Sequence, residues 1–155
     1  EDTHDYLTGL DALVGRGIAD PERLGVTGIS YGGFASCWLI TQDPRFAAAL
    51  PISPVSNFYS QHYTSQIPYF DRLFLDAEPN EPNGKHFHRS PVMFAGNVKT
   101  PTLQLTGALD QNTPPTQALE FHNALLIIRL SSCRFNDTDL FIGRLSNRYP
   151  IYSLR

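Results

Sequence analysis

The sequence predicts an α/β fold in which helices cover a parallel sheet. Three observations carry that expectation. Segments with helical period alternate with short strand-like segments along the chain. Residues 46–52 form a continuous apolar run bounded by Pro44 and Pro54, as suits a strand buried on both faces of a parallel sheet. A glycine-rich corner, residues 28–33, joins an apolar strand to a helix.

The elements follow in order. Residues 5–17 read as a helix, because Tyr6, Leu10, Leu13 and Val14 recur at spacings of three and four, and Gly15 and Gly17 end it. Asp20-Pro21-Glu22 is a turn, since proline fixes φ and aspartate favours turn initiation. Residues 24–27 form a short strand and residues 34–42 a second helix. Residues 54–95, rich in Pro, Tyr, Ser and His, read as an irregular insertion. Residues 101–105 form another buried strand. Pro114-Pro115 then open a helix that runs to about residue 126, since proline is tolerated in a first helical turn.

Bulk properties exclude several classes. The chain has 155 residues, 41% hydrophobic, enough for one core and one domain. Its net charge is −3 and it holds no Lys/Arg block, so no nucleic-acid surface is expected. No apolar run approaches the roughly 20 residues of a membrane span. The first residue is Glu1 and no signal-like segment precedes the first helix, so the chain reads as starting mid-protein or as processed; a cytoplasmic location is slightly favoured. Cys37 and Cys133 read as two unpaired thiols, not a disulfide framework or a metal site.

Gly28-Ile29-Ser30-Tyr31-Gly32 fits G-x-S-x-G, and Gly33 follows. A nucleophilic serine must stand clear of the sheet on a strained strand-to-helix turn, its Oγ reachable by a base. Large side chains two residues either side would collide with the strand and helix, hence Gly28 and Gly32. The backbone N–H of Tyr31 would face the oxyanion, aided by the helix N-terminus. Alone the pattern arises often by chance; between a strand and a helix it outweighs an ordinary Gly-rich turn. Asp110 follows the strand at 101–105 through Thr106-Gly107-Ala108-Leu109. Functional residues of open α/β sheets collect just past the carboxyl ends of strands. A capping or turn aspartate is the plainer reading of Asp110 alone; the order Ser, then acid, favours a catalytic role on an α/β-hydrolase sheet.

The residues around both positions carry a resemblance. The stretches at 16–24 and 25–34 resemble the nucleophile region of the prolyl oligopeptidase family of serine peptidases, in its dipeptidyl- and acylaminoacyl-peptidase branch. Thr100-Pro101-Thr102-Leu103 through Asp110, then Thr113-Pro114-Pro115, resemble its acid region, and Ser90-Pro91-Val92-Met93-Phe94-Ala95 matches as well. The likeness covers about residues 5–126. It implies a partial α/β-hydrolase fold without the N-terminal half of the sheet, and hydrolysis of short peptides by Ser-His-Asp acyl transfer. No cofactor and no metal are expected. The likeness also implies a pocket walled by residues 54–70, with Tyr59 and Tyr63 among the aromatics, unless these simply pack. In the full-length protein it implies an upstream β-propeller and leaves room for a homo-oligomer. An esterase or lipase on the same fold, or a non-catalytic truncated copy, are the rival readings.

The pattern breaks at the third member. By likeness to the family, the histidine belongs in a loop beyond the last helix, roughly thirty residues past the acid. The histidines are His4, His62, His86, His88 and His122, and none follows residue 122. His122 reads as a surface helix residue, His62 as part of the insertion, and His86 and His88 as loop residues without a third metal ligand at a usual spacing. Residues 127–155 hold five arginines and two acids, a net of +3, against −6 for residues 1–126. The expected organisation is a hydrolase part, 1–126, and a divergent tail, 127–155, such as a frameshift, retained intron or alternative exon produces. The tail is expected to pack poorly and leave Phe135, Leu140, Phe141 and Ile142 exposed. The chain as written is expected to be inactive.

Overall fold

A computed structural model describes residues 2–128 together with the backbone of residues 132–136. Its described residues form helix α1 (Asp2–Gly15), a 3-10 turn (Pro21–Arg23), strand β1 (Gly25–Ile29), α2 (Tyr31–Gln42) and β2 (Ala48–Ile52). Three short helices follow, α3 (Phe58–Thr64), α4 (Phe70–Leu75) and α5 (Lys85–His88), then a 3-10 segment (Pro91–Asn97), β3 (Thr102–Thr106), α6 (Pro115–Ile127) and β4 (Ser132–Asn136). The strands pair in chain order, β1-β2-β3-β4, and every pair is parallel. Register pairs Ile29 with Ile52, Ile52 with Leu105 and Thr106 with Asn136. The carboxyl ends of all four strands therefore lie along one edge.

The core sits between the sheet and two helices. Residues 36–41 of α2 are buried without interruption, as expected of a helix that is covered all round. It packs on β1, β2 and the 3-10 segment. Gln117, Ala118, Phe121 and Leu125 form the buried stripe of α6, which leans on β3, β4 and the same segment. Phe46, Ala49, Ala95 and Val98 complete the cluster, with Cys37 at its centre, and burial pushes the Cys37 thiol far up from its usual pKa. Among the described residues Cys37 is a free thiol.

Three details differ from the sequence reading, while Gly17 ends the first helix as expected. The inward face of α1 is Leu7, Leu10 and Val14, whereas Tyr6 and Leu13 are exposed; positions i, i+3 and i+7 converge on one face, and 6 and 13 point about 100° away from it. Gly17, at φ +69°, takes the chain out of the helix. The insertion holds three short helices and a 3-10 segment, too short to display a helical period. Strand β4 lies within the proposed tail and pairs with β3. The side chains of Phe135, Leu140, Phe141 and Ile142, on which poor packing of the tail was expected, lie outside the described residues. Among the described residues no helix is long and apolar enough to cross a membrane.

Candidate active site

β1 ends at Ile29, and Ser30 turns the chain into α2 with φ 58° and ψ −114°. A left-handed φ on a non-glycine residue is costly and persists where the surroundings over-determine it. Here they do. The Ser30 N–H donates to the Ile52 carbonyl at 3.0 Å, and the Ser30 carbonyl accepts from Phe34 at 2.9 Å. The side chain makes no cap bond to the helix and is exposed. Its hydroxyl is left available at the sheet edge.

Glycine positions decide how close the corner can be. A Cβ at Gly28 would lie 2.5 Å from the Gly32 carbonyl oxygen, and one at Gly33 would lie 2.5 Å from the Ile52 oxygen and 2.9 Å from Pro54 Cα. These are backbone atoms and cannot swing aside. A Cβ at Gly32 would meet nothing within 4 Å. The expectation that Gly28 and Gly32 both avoid collisions is thus corrected: Gly28 packs on the Gly32 backbone, while the residue that must be small against the next strand is Gly33.

Tyr31 occupies the first position of α2, where a backbone N–H has no intrahelical acceptor. Its ring lies between Phe34 at 5.3 Å and Phe74 at 5.0 Å, and its hydroxyl donates to Asp2 at 2.6 Å. Burial, with the Asp2 carboxylate beside it, pushes the phenol up to about 12. The side chain is anchored by that bond and by the two rings. A pocket of about 130 Å³ opens beside it, lined by Tyr31, Phe34, Trp38, Phe58, Phe74, Leu75 and Arg89. Phe58 thus contributes to it. Tyr59 and Tyr63 face each other at 5.2 Å on α3, both exposed, and Tyr59 lines another cavity of about 370 Å³ together with Phe87 and Met93.

Asp110 stands past the end of β3 in a turn closed by its N–H to the Gly107 carbonyl at 3.2 Å. Its Oδ1 accepts from the N–H of Asn112 and of Thr113, each at 2.9 Å, and Oδ2 accepts from the Thr113 hydroxyl at 2.9 Å. Partial burial pushes its carboxyl up, but the bonds from Thr113, Ser53 and Asn112 outweigh that and hold it below the ordinary value. Ser53, at the end of β2 between Ser30 and Asp110, is itself left-handed at φ 41°. It was not singled out from sequence; an isolated serine before Pro54 carries no signal. A carboxyl with a lowered folded-state pKa stabilises the fold at neutral pH, and that contribution is lost as pH falls through the folded-state value. Asp110→Asn is therefore expected to cost about 1–2 kcal/mol at pH 7. The gap between the two proteins should narrow in acid urea denaturation; a gap unchanged down to pH 3 would contradict the assignment of those bonds.

The histidines are placed as follows. His122 is half-buried on α6. His86 and His88 both lie in α5, which corrects their reading as loop residues; His86 is fully buried and His88 exposed. His86 Nε2 lies 2.5 Å from Asp71 Oδ2, and His62 Nδ1 lies 3.0 Å from the same oxygen. These three are the group among the described residues that could hold a metal. Sequence spacing could not reveal them, because they sit on three different helices.

The matched family model is that of the prolyl oligopeptidase family, over residues 1–131. The chain is 40% identical to an uncharacterized peptidase, YuxL, of Bacillus subtilis, over 81% of this chain and 19% of that protein. It is 36% identical to the acylamino-acid-releasing enzyme of Arabidopsis thaliana, over 81% of this chain and 18% of the enzyme. The solved acylaminoacyl peptidase of Pyrococcus horikoshii superposes with a TM-score of 0.83 at 31% identity, over 88% of this chain and 22% of that one. The chain thus spans less than a quarter of each relative. With a strand-to-helix serine corner, a partial α/β-hydrolase sheet and a family match over nearly all described residues, this chain belongs to the prolyl oligopeptidase family.

Proposed function

We propose that this chain is part of a serine peptidase catalytic domain acting on short peptides by acyl transfer. Ser30 is the nucleophile, Asp110 the acid that orients a histidine, and the Tyr31 N–H one oxyanion donor, on a corner built by Gly28, Gly32 and Gly33. The observation that carries this reading is the exposed hydroxyl of Ser30 on a left-handed corner, at the same sheet edge as the ionised Asp110. β1 and β3 are two strand spacings apart, about 9–10 Å. Two side chains and one imidazole with its two hydrogen bonds can bridge that gap. Each carboxylate oxygen offers more than one lone pair, so Asp110 can still accept from an imidazole N–H.

β4 supports the same reading, since its carboxyl end at Asn136 lies beside Thr106 and a loop leaving it would start next to the acid. Asp137-Thr138-Asp139 follow there instead of a histidine. Residues 127–155 are read as a divergent tail, with no base. In the whole protein an upstream β-propeller and self-association are part of the same proposal. Tyr59, which lines the 370 Å³ cavity, and Tyr63, 5.2 Å from it, are proposed as part of the pocket wall.

Without a base the serine is a poor nucleophile, and a triad lacking one member retains at most about 10³–10⁴-fold acceleration over water. The expected result is that the 155-residue chain cleaves chromogenic aminoacyl and dipeptidyl amides no faster than its Ser30→Ala variant. Turnover well above that control would identify a histidine of this chain, His62 or His122, as the base.

A further inference from the structure

Asp71 is 1% exposed, yet among the described residues its hydrogen-bond partners are two histidines and no lysine or arginine. Buried carboxylates are costly unless they are paired with charge or coordinate a metal. His86 is equally buried at 1%, and its Nδ1 has no hydrogen-bond partner among the described residues, so its ring is held polarly through Nε2 alone. One ligand atom from each of His62, Asp71 and His86 lies within 4.8 Å of the other two.

We propose that His62 Nδ1, Asp71 and His86 Nε2 form a site for a divalent transition metal of the zinc type. Two imidazole nitrogens and one carboxylate oxygen suit zinc or cobalt(II), whereas calcium and magnesium favour all-oxygen shells. The three donors converge on one point from α3, α4 and α5, at 2.5 Å and 3.0 Å around Asp71 Oδ2, distances that a bound ion would widen by small side-chain shifts. His62 is the rim of the site: its side chain is 15% exposed, against 2% for His86 and 1% for Asp71. A metal there fastens the three short helices of residues 54–95 to one another, where no long helix or strand does so. It lies apart from Ser30 and Asp110 in residues used, and it stands whether or not those two form an acyl-transfer site.

The test uses the full 155-residue chain, stripped with a chelator and titrated with cobalt(II), then zinc. The expected result is one equivalent of cobalt giving the visible d–d bands of a four-coordinate ion, displaced by one equivalent of zinc. His62→Ala, a partly exposed position whose fold is checked by circular dichroism, should weaken binding by about 100-fold or more. His88→Ala, on the exposed side of α5, should leave it unchanged. A folded chain that gives no cobalt bands would overturn the proposal, as would binding that survives His62→Ala and is lost with His88→Ala.

Discussion

Gly33→Ala is expected to destabilise the fold by about 3 kcal/mol or more, at the high end for a single added methyl group. The new Cβ would sit 2.5 Å from the Ile52 oxygen and 2.9 Å from Pro54 Cα, so α2 must move off β2 to admit it. That oxygen also accepts the Ser30 N–H, so the displacement reaches the backbone of Ser30, the proposed nucleophile. Gly28→Ala is expected to act similarly through the Gly32 carbonyl. Gly32→Ala should do the opposite. Its Cβ meets nothing within 4 Å, and alanine in place of glycine in a helix gains up to about 1 kcal/mol. Urea denaturation of the three variants checks this: adjacent glycines 32 and 33 should move the midpoint in opposite directions. Equal losses at both would show that the corner is not packed as described.

The parts of the fold that could be read from sequence are those where one physical signal dominates. The apolar run around β2, the strand–glycine–helix corner at Ser30 and the proline-opened α6 each carry a local pattern long enough to recognise. β3 was legible through Leu103 and Leu105 and the turn that leads to Asp110. β4 was not, because Ser132-Cys133-Arg134-Phe135-Asn136 mixes polar and apolar residues over five positions and its pairing with β3 is a long-range fact. The short helices of residues 54–95 end before a period can repeat. Ser30 and Asp110 could be singled out as site candidates because the proposed chemistry demands a particular residue in a particular local setting. Ser53 was not, since it reaches Asp110 only through the pairing of β2 with β3. The contacts of Asp71 with His62 and His86, 9 and 15 residues away along the chain, likewise exist only once α3, α4 and α5 are packed.

The same logic defines what is missing from the site. On the proposed reading, Ser30 and Asp110 follow β1 and β3 and the base would come from the loop after β4, a stretch of sequence with no histidine. If the two residues are already correctly placed, the gap between them should accept a base supplied from solution. A positioned general base contributes typically 10²–10⁴-fold; a freely diffusing imidazole recovers part of that. The direct measurement is the rate of covalent labelling of Ser30 by a fluorophosphonate probe, read by intact and peptide mass spectrometry, with and without added imidazole. The predicted result is negligible labelling of the 155-residue chain alone and at least about tenfold faster labelling with imidazole, lost in Ser30→Ala and diminished in Asp110→Asn. Rapid labelling without imidazole, or none at Ser30 under either condition, would contradict the claim that this chain holds a serine nucleophile and its acid but no base.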